Sequence, residues 1–415
     1  MPAFLTHWRV LIETAKRSQD AGNDLGSLII DASALRRRAQ ARPMPPQTNP
    51  TGAIWNTGPL PRVNFTFPGS DIPAMAYLGA LAPDISSFQR DHFSRKISGD
   101  RQHQLTALAQ TPAFTAGTPL SWDNLLHLNR SGDVLIAFLE HIADIPSPAL
   151  RSQALAFAMG YLSHIATDIA LNPCINTLAG AYASFKTPGI FTRFGVHFYI
   201  ELCLDEYIAQ TYFDRPLYGW FKQPWEQYIE PAATNCLTPG SLSTQVLHLL
   251  TDAVEATYGL TEAQSNDFQV SYLAGLRRLK NYLSGTGMFR LLTLSTLLRN
   301  RTDGPIPPVI AEHAHEPGTV NFEQVIAYAV HLSEHLCRNA ISYYAALRHR
   351  EATANERNTR RAALRDDLRN WNLETGYTMD VTFDEQVTLH LLHNWVHFAR
   401  LWENERATAI NAGHR

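Results

Sequence analysis

The chain has 415 residues, 45% of them hydrophobic and 18% charged, a balance that suits an ordered globular protein with a sizeable core and excludes a disordered one. Its formal net charge of -3, from 35 basic and 38 acidic residues, provides no global field to draw it onto nucleic acid. Seventeen histidines is high for the length and points to metal or acid–base chemistry. The four cysteines, Cys174, Cys203, Cys236 and Cys337, have no C-x-x-C spacing and read as buried thiols, not as a zinc site or a disulfide framework.

Residues 3–40 read as helical: Phe4, Trp8, Leu11 and Ile12 repeat at helical spacing, and a second run passes through Leu25, Leu28, Ile29 and Leu35. The opening residues lack the basic leader, apolar core and cleavage site of a Sec signal peptide, so the expected location is the cytoplasm, or outside the cell by a signal-less route. From 42 to 73 the composition changes. Pro43, Pro45, Pro46, Pro50, Pro59, Pro61, Pro68 and Pro73 forbid a long helix and leave a loop of about thirty residues, the length of lids and binding loops. Trp55, Phe65 and Phe67 in it suit either an apolar lip that makes transient membrane-surface contact or, more commonly, anchors that pin the loop to its own domain.

Helical patterns then dominate, over 74–82, 122–143, 149–171, 178–184, 192–213, 241–257, 262–300, 321–349, 351–372 and 383–408. Proline or glycine punctuates them at Pro146, Pro148, Pro188-Gly189 and Pro305 to Pro308, and Pro173 is expected to stop the helix that carries Asp168. Strand alternation is scarce. The expected fold is therefore all-α: a helical module over 1–225, which includes the Pro-rich loop 42–73, and a helical C-terminal region over 226–415 of unassigned role. No uncharged apolar run reaches the roughly 18 residues that span a bilayer, since the closest, 154–171, is interrupted by His164 and Asp168. The basic stretch Arg357 to Arg365 is flanked by Glu351, Glu356, Asp366 and Asp367 and reads as a solvated helix face.

Two stretches of apolar helical sequence, His164-Ile-Ala-Thr-Asp168 and His197-Phe-Tyr-Ile-Glu201, each place a histidine and a carboxylate four residues apart. Such residues share a helix face, and an ionised carboxylate in an apolar layer is costly without a compensating cation or hydrogen bond. A metal satisfies both pairs; a plain hydrogen-bonded contact is the bland alternative. His331 and His335 form another i, i+4 pair, and His390, His393 and His397 share one face. These read better as a packed or surface-polar stripe, because Trp395, Phe398, Leu401 and Trp402 occupy the same helix as the latter set. His313 and His315 fall in a Pro-rich stretch suited to a cleft mouth.

Gly160-Tyr-Leu-Ser-His164-Ile-Ala-Thr-Asp168, followed by Asn172-Pro173, resembles the central signature of the zinc-dependent phospholipase C family, a relative of the single-strand nucleases and of the amino-terminal domain of glycosylphosphatidylinositol-specific phospholipase D. Thr6-His7-Trp8 resembles the family's early Thr-His, Gly79-Ala80-Leu81-Ala82-Pro83-Asp84 its Gly-Ala-x-x-Pro-Asp segment, and His197-x-x-x-Glu201 its later His-x-x-x-Glu. The resemblance covers residues 1 to about 215. It implies a helical bundle holding two or three zinc ions (Zn2+), or another divalent metal, at the bottom of a cleft. Asp84, His164 and Asp168 would hold one ion with Asp168 bridging to another, His197 and Glu201 a second, and His7 the third. The histidine expected between Asp84 and His164 is His127, then His92, with His103 a further choice. Asn172 and Cys174 stand where the family has a histidine beside the proline.

The implied reaction is hydrolysis of a phospholipid to diacylglycerol and a phosphorylated head group by a metal-activated water, with Asp84 and Asp168 as the catalytic carboxylates. Two other readings stay open: a phosphodiesterase, phosphatase or nuclease acting on a soluble phosphate ester, and a non-catalytic interaction or toxin-like protein with a degenerate metal site. The acidic balance disfavours nucleic acid.

Overall fold

A computed structural model describes residues 4–20, 71–88, 122–128, 130–186, 230–283, 322–349 and 351–371, with Leu373 and six helical residues between 200 and 208. Its helices are α1 (Phe4–Asp20), α2 (Asp71–Gly79), α3 (Ala82–Ile85), α4 (Trp122–Leu128), α5 (Ser131–Asp144), α6 (Pro148–Lys186), α7 (Glu230–Cys236), α8 (Leu242–Tyr258), α9 (Glu262–Leu283), α10 (Phe322–Arg348) and α11 (Ala354–Leu368). The described residues contain no strand, and the fold is all-α.

The axis of the fold is α6. Its Ala-rich stretch from 154 to 172 is buried throughout, and α1, α2, α5, α8 and α10 all pack on it. By length and mean hydropathy (1.3), Pro148–Asn172 would suffice to cross a membrane, but all of that window is packed inside the protein. The approach of α2 is the closest. A Cβ on Gly160 would lie 2.0 Å from the Ala76 carbonyl oxygen, and one on Gly79 would lie 2.1 Å from that of Phe157. Glycine at both positions lets the two backbones touch.

Three boundaries differ from the sequence expectation. Pro173 lies inside α6, which continues to Lys186, so the separate helices expected at 149–171 and 178–184 are one. An interior proline costs about 3 kcal/mol. Burial offsets this cost, since Ala170, Leu171 and Ile175 flank the proline and join Val325, Ile326, Ala329 and Val330 of α10 in a second apolar cluster. The helix expected over 122–143 is broken between α4 and α5 at Arg130, which is left-handed with φ 55°. Pro73 belongs to the first turn of α2, where a missing N–H breaks no helical bond, so the proline-rich loop ends before residue 71.

Both halves of the chain contribute to the main core, in which Trp8, Leu78, Phe157 and Leu162 are clustered with Val246, Phe268, Leu336 and Leu368. The basic stretch within α11 is mostly exposed, as expected, and its Arg361 and Arg365 reach Glu140 (2.8 Å) and Asp133 (3.3 Å) of α5. Cys236 and Cys337 are buried free thiols. Trp55, Phe65, Phe67, His313, His315 and the segment 383–408 with His390, His393 and His397 lie outside the described residues.

Candidate metal centre

Four helices bring three imidazoles and two carboxylates together. His7 lies in the first turns of α1, Asp84 in α3, His127 near the end of α4, and His164 and Asp168 one turn apart in α6. All five are buried. The Asp168 carboxylate reaches every imidazole: Oδ2 is 3.0 Å from His164 Nε2 and 3.7 Å from His127 Nε2, and Oδ1 is 3.5 Å from His7 Nε2. Asp84 Oδ1 is 3.3 Å from His127 Nε2, and the His7 and His164 rings stack at 4.1 Å. Donor atoms lie within 4.8 Å of one another in two groups, His7 with Asp84 and His164, and His127 with His164 and Asp168. His7 thus shares a group with Asp84 and His164, where the resemblance set it apart on a third ion.

His164 has a fixed orientation. Its Nδ1 is 2.8 Å from the Ala80 carbonyl, which can only accept, so Nδ1 carries the proton and Nε2 faces inward. A neutral ring would then aim a lone pair at Asp168 Oδ2, 3.0 Å away, beside His127 Nε2 at 3.4 Å. His164 Nε2 in that state and Asp168 Oδ2 can both only accept hydrogen bonds, and they repel at this distance unless a proton or a cation lies between them. Burial, with the neighbouring His164, holds His7 well below the usual histidine range and keeps its imidazole neutral. Burial also pulls on His164, but the Asp168 charge and hydrogen bond outweigh it and raise the ring. For Asp84 burial is overcome by the His127 hydrogen bond and the His164 charge, which hold the carboxyl well below its ordinary value, while burial lifts Asp168 against the pull of His164.

These residues fit zinc. Ligands about 2.0–2.1 Å from a tetrahedral zinc are separated by about 3.3 Å, and the five contacts between donor atoms run from 3.0 to 3.7 Å. The His7 Nδ1 atom, moreover, is buried with no hydrogen-bond partner among the described residues.

Glu201 is buried and helical, but among the described residues it is in neither donor group. His197, His92 and His103 lie outside the described residues. His331 and His335 join no such group either; His335 is largely exposed and pairs with Asp367 at 3.2 Å. Asn172 is buried, and its Nδ2 donates to the Leu373 carbonyl at 2.6 Å. One contributor escaped the sequence reading. Asp205 Oδ1 accepts from both the N–H and the hydroxyl of Thr6 at 3.1 Å, tying down the first turn of α1 beside His7. Burial lifts its carboxyl well above the ordinary value, against the bonds from the Leu5 and Thr6 backbone. A carboxylate one turn after Glu201 and a threonine at a helix start were the available signals.

An all-helical scaffold around a buried histidine–aspartate cluster defines a class: helical proteins with an internal candidate metal centre. Residues 53–234, which include Asp84, His127, His164 and Asp168, match the family model for zinc dependent phospholipase C. No curated protein and no solved structure matches the chain.

Proposed function

We propose that this chain is a zinc-dependent phosphodiester hydrolase that cleaves a phospholipid to diacylglycerol and a phosphorylated head group. The observation that carries the reading is the inward-facing Nε2 of His164, held there by the Ala80 carbonyl and confronting a carboxylate oxygen and a second imidazole. Zinc bound there would supply an acidified water and positive charge for the phosphoryl oxygens.

His7, Asp84, His127, His164 and Asp168 are the proposed ligands, with His197 and Glu201 as further candidates by family resemblance. Asp168, within 3.7 Å of all three imidazoles, would serve the histidines of both donor groups. Asp84, kept ionised, is suited to orient the attacking water and take its proton. As the water oxygen bonds to phosphorus, the bond to the glycerol oxygen breaks and that oxygen is protonated.

Zinc analysis combined with turnover of phosphatidylcholine vesicles and a soluble phosphocholine ester tests this. The wild type should hold zinc and lose turnover to a chelator. Asp168→Asn should cut turnover by about 10²-fold or more, the scale of losing one charge-stabilising group, and lower zinc content with an unchanged helical circular dichroism spectrum. Turnover of the soluble ester alone would shift the substrate class. Full turnover in Asp168→Asn, or zinc without turnover of any phosphodiester, would overturn the assignment.

A further inference from the structure

The short helix α4 carries His127, and it owes its last turn to the far end of the chain. Seven residues are too few to hold a helix by their own hydrogen bonds, and the last four carbonyls have no partner within the helix. Two of them are served from beyond the segment that matches the family. The Tyr258 hydroxyl donates to the Leu125 carbonyl at 3.2 Å, and the Leu373 N–H donates to the carbonyl of His127 at 2.8 Å. Leu373 is fully buried, and its own carbonyl accepts Asn172 Nδ2 at 2.6 Å, one turn past Asp168. One residue therefore bridges the backbone of His127 to the helix carrying His164 and Asp168.

The approach to Leu373 is built for this. After α11 the chain turns through Arg369 and Asn370, both left-handed (φ 42° and 49°) though neither is glycine, at a cost of about 1 kcal/mol or more each. Docking overdetermines the turn. Asn370 Oδ1 accepts from the Asp133 N–H at 3.0 Å, its Nδ2 donates to Asp133 Oδ2 at 3.1 Å, and the Ser131 hydroxyl donates to the Trp371 carbonyl at 3.0 Å. Gly132 leaves the space, since a Cβ there would meet Leu368 Cβ at 2.7 Å.

We propose that Arg369, Asn370, Trp371 and Leu373 form a strap that sets the position of His127, with Leu373 and Asn172 as positioning residues; this rests on the metal reading of the cluster. The Asn172 amide takes up the strap on α6, and the strap holds the histidine at its distance from Asp84 and Asp168.

The test uses the full chain, zinc affinity by competition with a chromogenic chelator, the visible spectrum of the cobalt-substituted protein, and hydrogen exchange of residues 122–128. Asn172→Ala and Leu373→Pro, which removes the N–H, should each weaken zinc binding about 10- to 100-fold, the usual effect of losing a group that orients a ligand, and alter the cobalt spectrum. Leu373→Ala, which keeps the N–H, and Tyr343→Phe, which loses a bond to Glu140 (2.6 Å) elsewhere, should lower the melting temperature and leave affinity and spectrum unchanged. Should Leu373→Pro fail to fold, Asn370→Ala, which undocks the strap at Asp133, takes its place with the same expected loss. A loss in Asn172→Ala alone would make Asn172 a ligand and overturn the strap. A wild type that takes no zinc overturns the metal reading only. The strap is then judged on exchange in 122–128, which should quicken in Asn172→Ala; unaltered exchange overturns it.

Discussion

Asp205 shows how one side chain can fix a candidate ligand without touching it. The first N–H groups of a helix have no internal partners, and in α1 the group at Thr6, immediately before His7, is satisfied by a carboxylate about two hundred residues away. Losing such a cap costs about 0.5–2 kcal/mol. Asp205→Ala is expected to lower the unfolding free energy measured in urea by that amount, and Asp205→Asn, which keeps an acceptor oxygen, should restore most of it. The His164 and Asp168 pair was legible in the sequence because helical spacing alone places the two residues on one face. The convergence of His7, Asp84 and His127 on them was not, since it depends on three other helices; their candidacy came from family resemblance. The Ala80 carbonyl that orients His164 could not be read at all, as every residue carries the same group.

Among the elements, the α2–α6 crossing is the contact that places the cluster. Glycine inside a helix usually weakens it by about 1 kcal/mol relative to alanine, so Gly160→Ala would stabilise an isolated helix. Here the sign reverses. The new methyl would sit 2.0 Å from one main-chain atom and 2.7 Å from the N of Ala80, neither of which can rotate away. A loss of about 3 kcal/mol or more is expected in chemical denaturation for Gly160→Ala, and likewise for Gly79→Ala, on the scale of severe overpacking. The shift of α2 would also carry off the Ala80 carbonyl, so zinc affinity should fall with stability. Most helices could be located from apolar spacing, but their ends could not. Pro173 reads as a stop locally and is overruled by the apolar contacts on either side of it, which no local pattern displays.

Across the whole molecule, the region after residue 226 supplies part of the same core and the donors that finish α4. The Trp122 indole donates to Asp267 at 2.9 Å, another tie between the two halves. Unfolding of the described helices is therefore expected in one transition, with tryptophan fluorescence and far-ultraviolet circular dichroism giving the same midpoint. On the metal reading, zinc should move that midpoint upward, adding about 2.7 kcal/mol to the unfolding free energy at a hundredfold excess over its dissociation constant. Two separated transitions, with zinc shifting only one, would contradict this. The role of the C-terminal region was closed to sequence reasoning because its contribution is made by main-chain groups of Leu373 and by a docking surface assembled from α5.

The composition of α6 also matters before any of these contacts exist. While the chain is being made, Pro148–Asn172 emerges as an apolar stretch that insertion machinery could receive as a spanning segment. An aspartate opposes partition into lipid by about 3 kcal/mol at the centre of such a stretch and by less near its end, where Asp168 stands four residues before Asn172. Asp168, with His164 beside it, thus weighs against loss of the nascent chain to the bilayer.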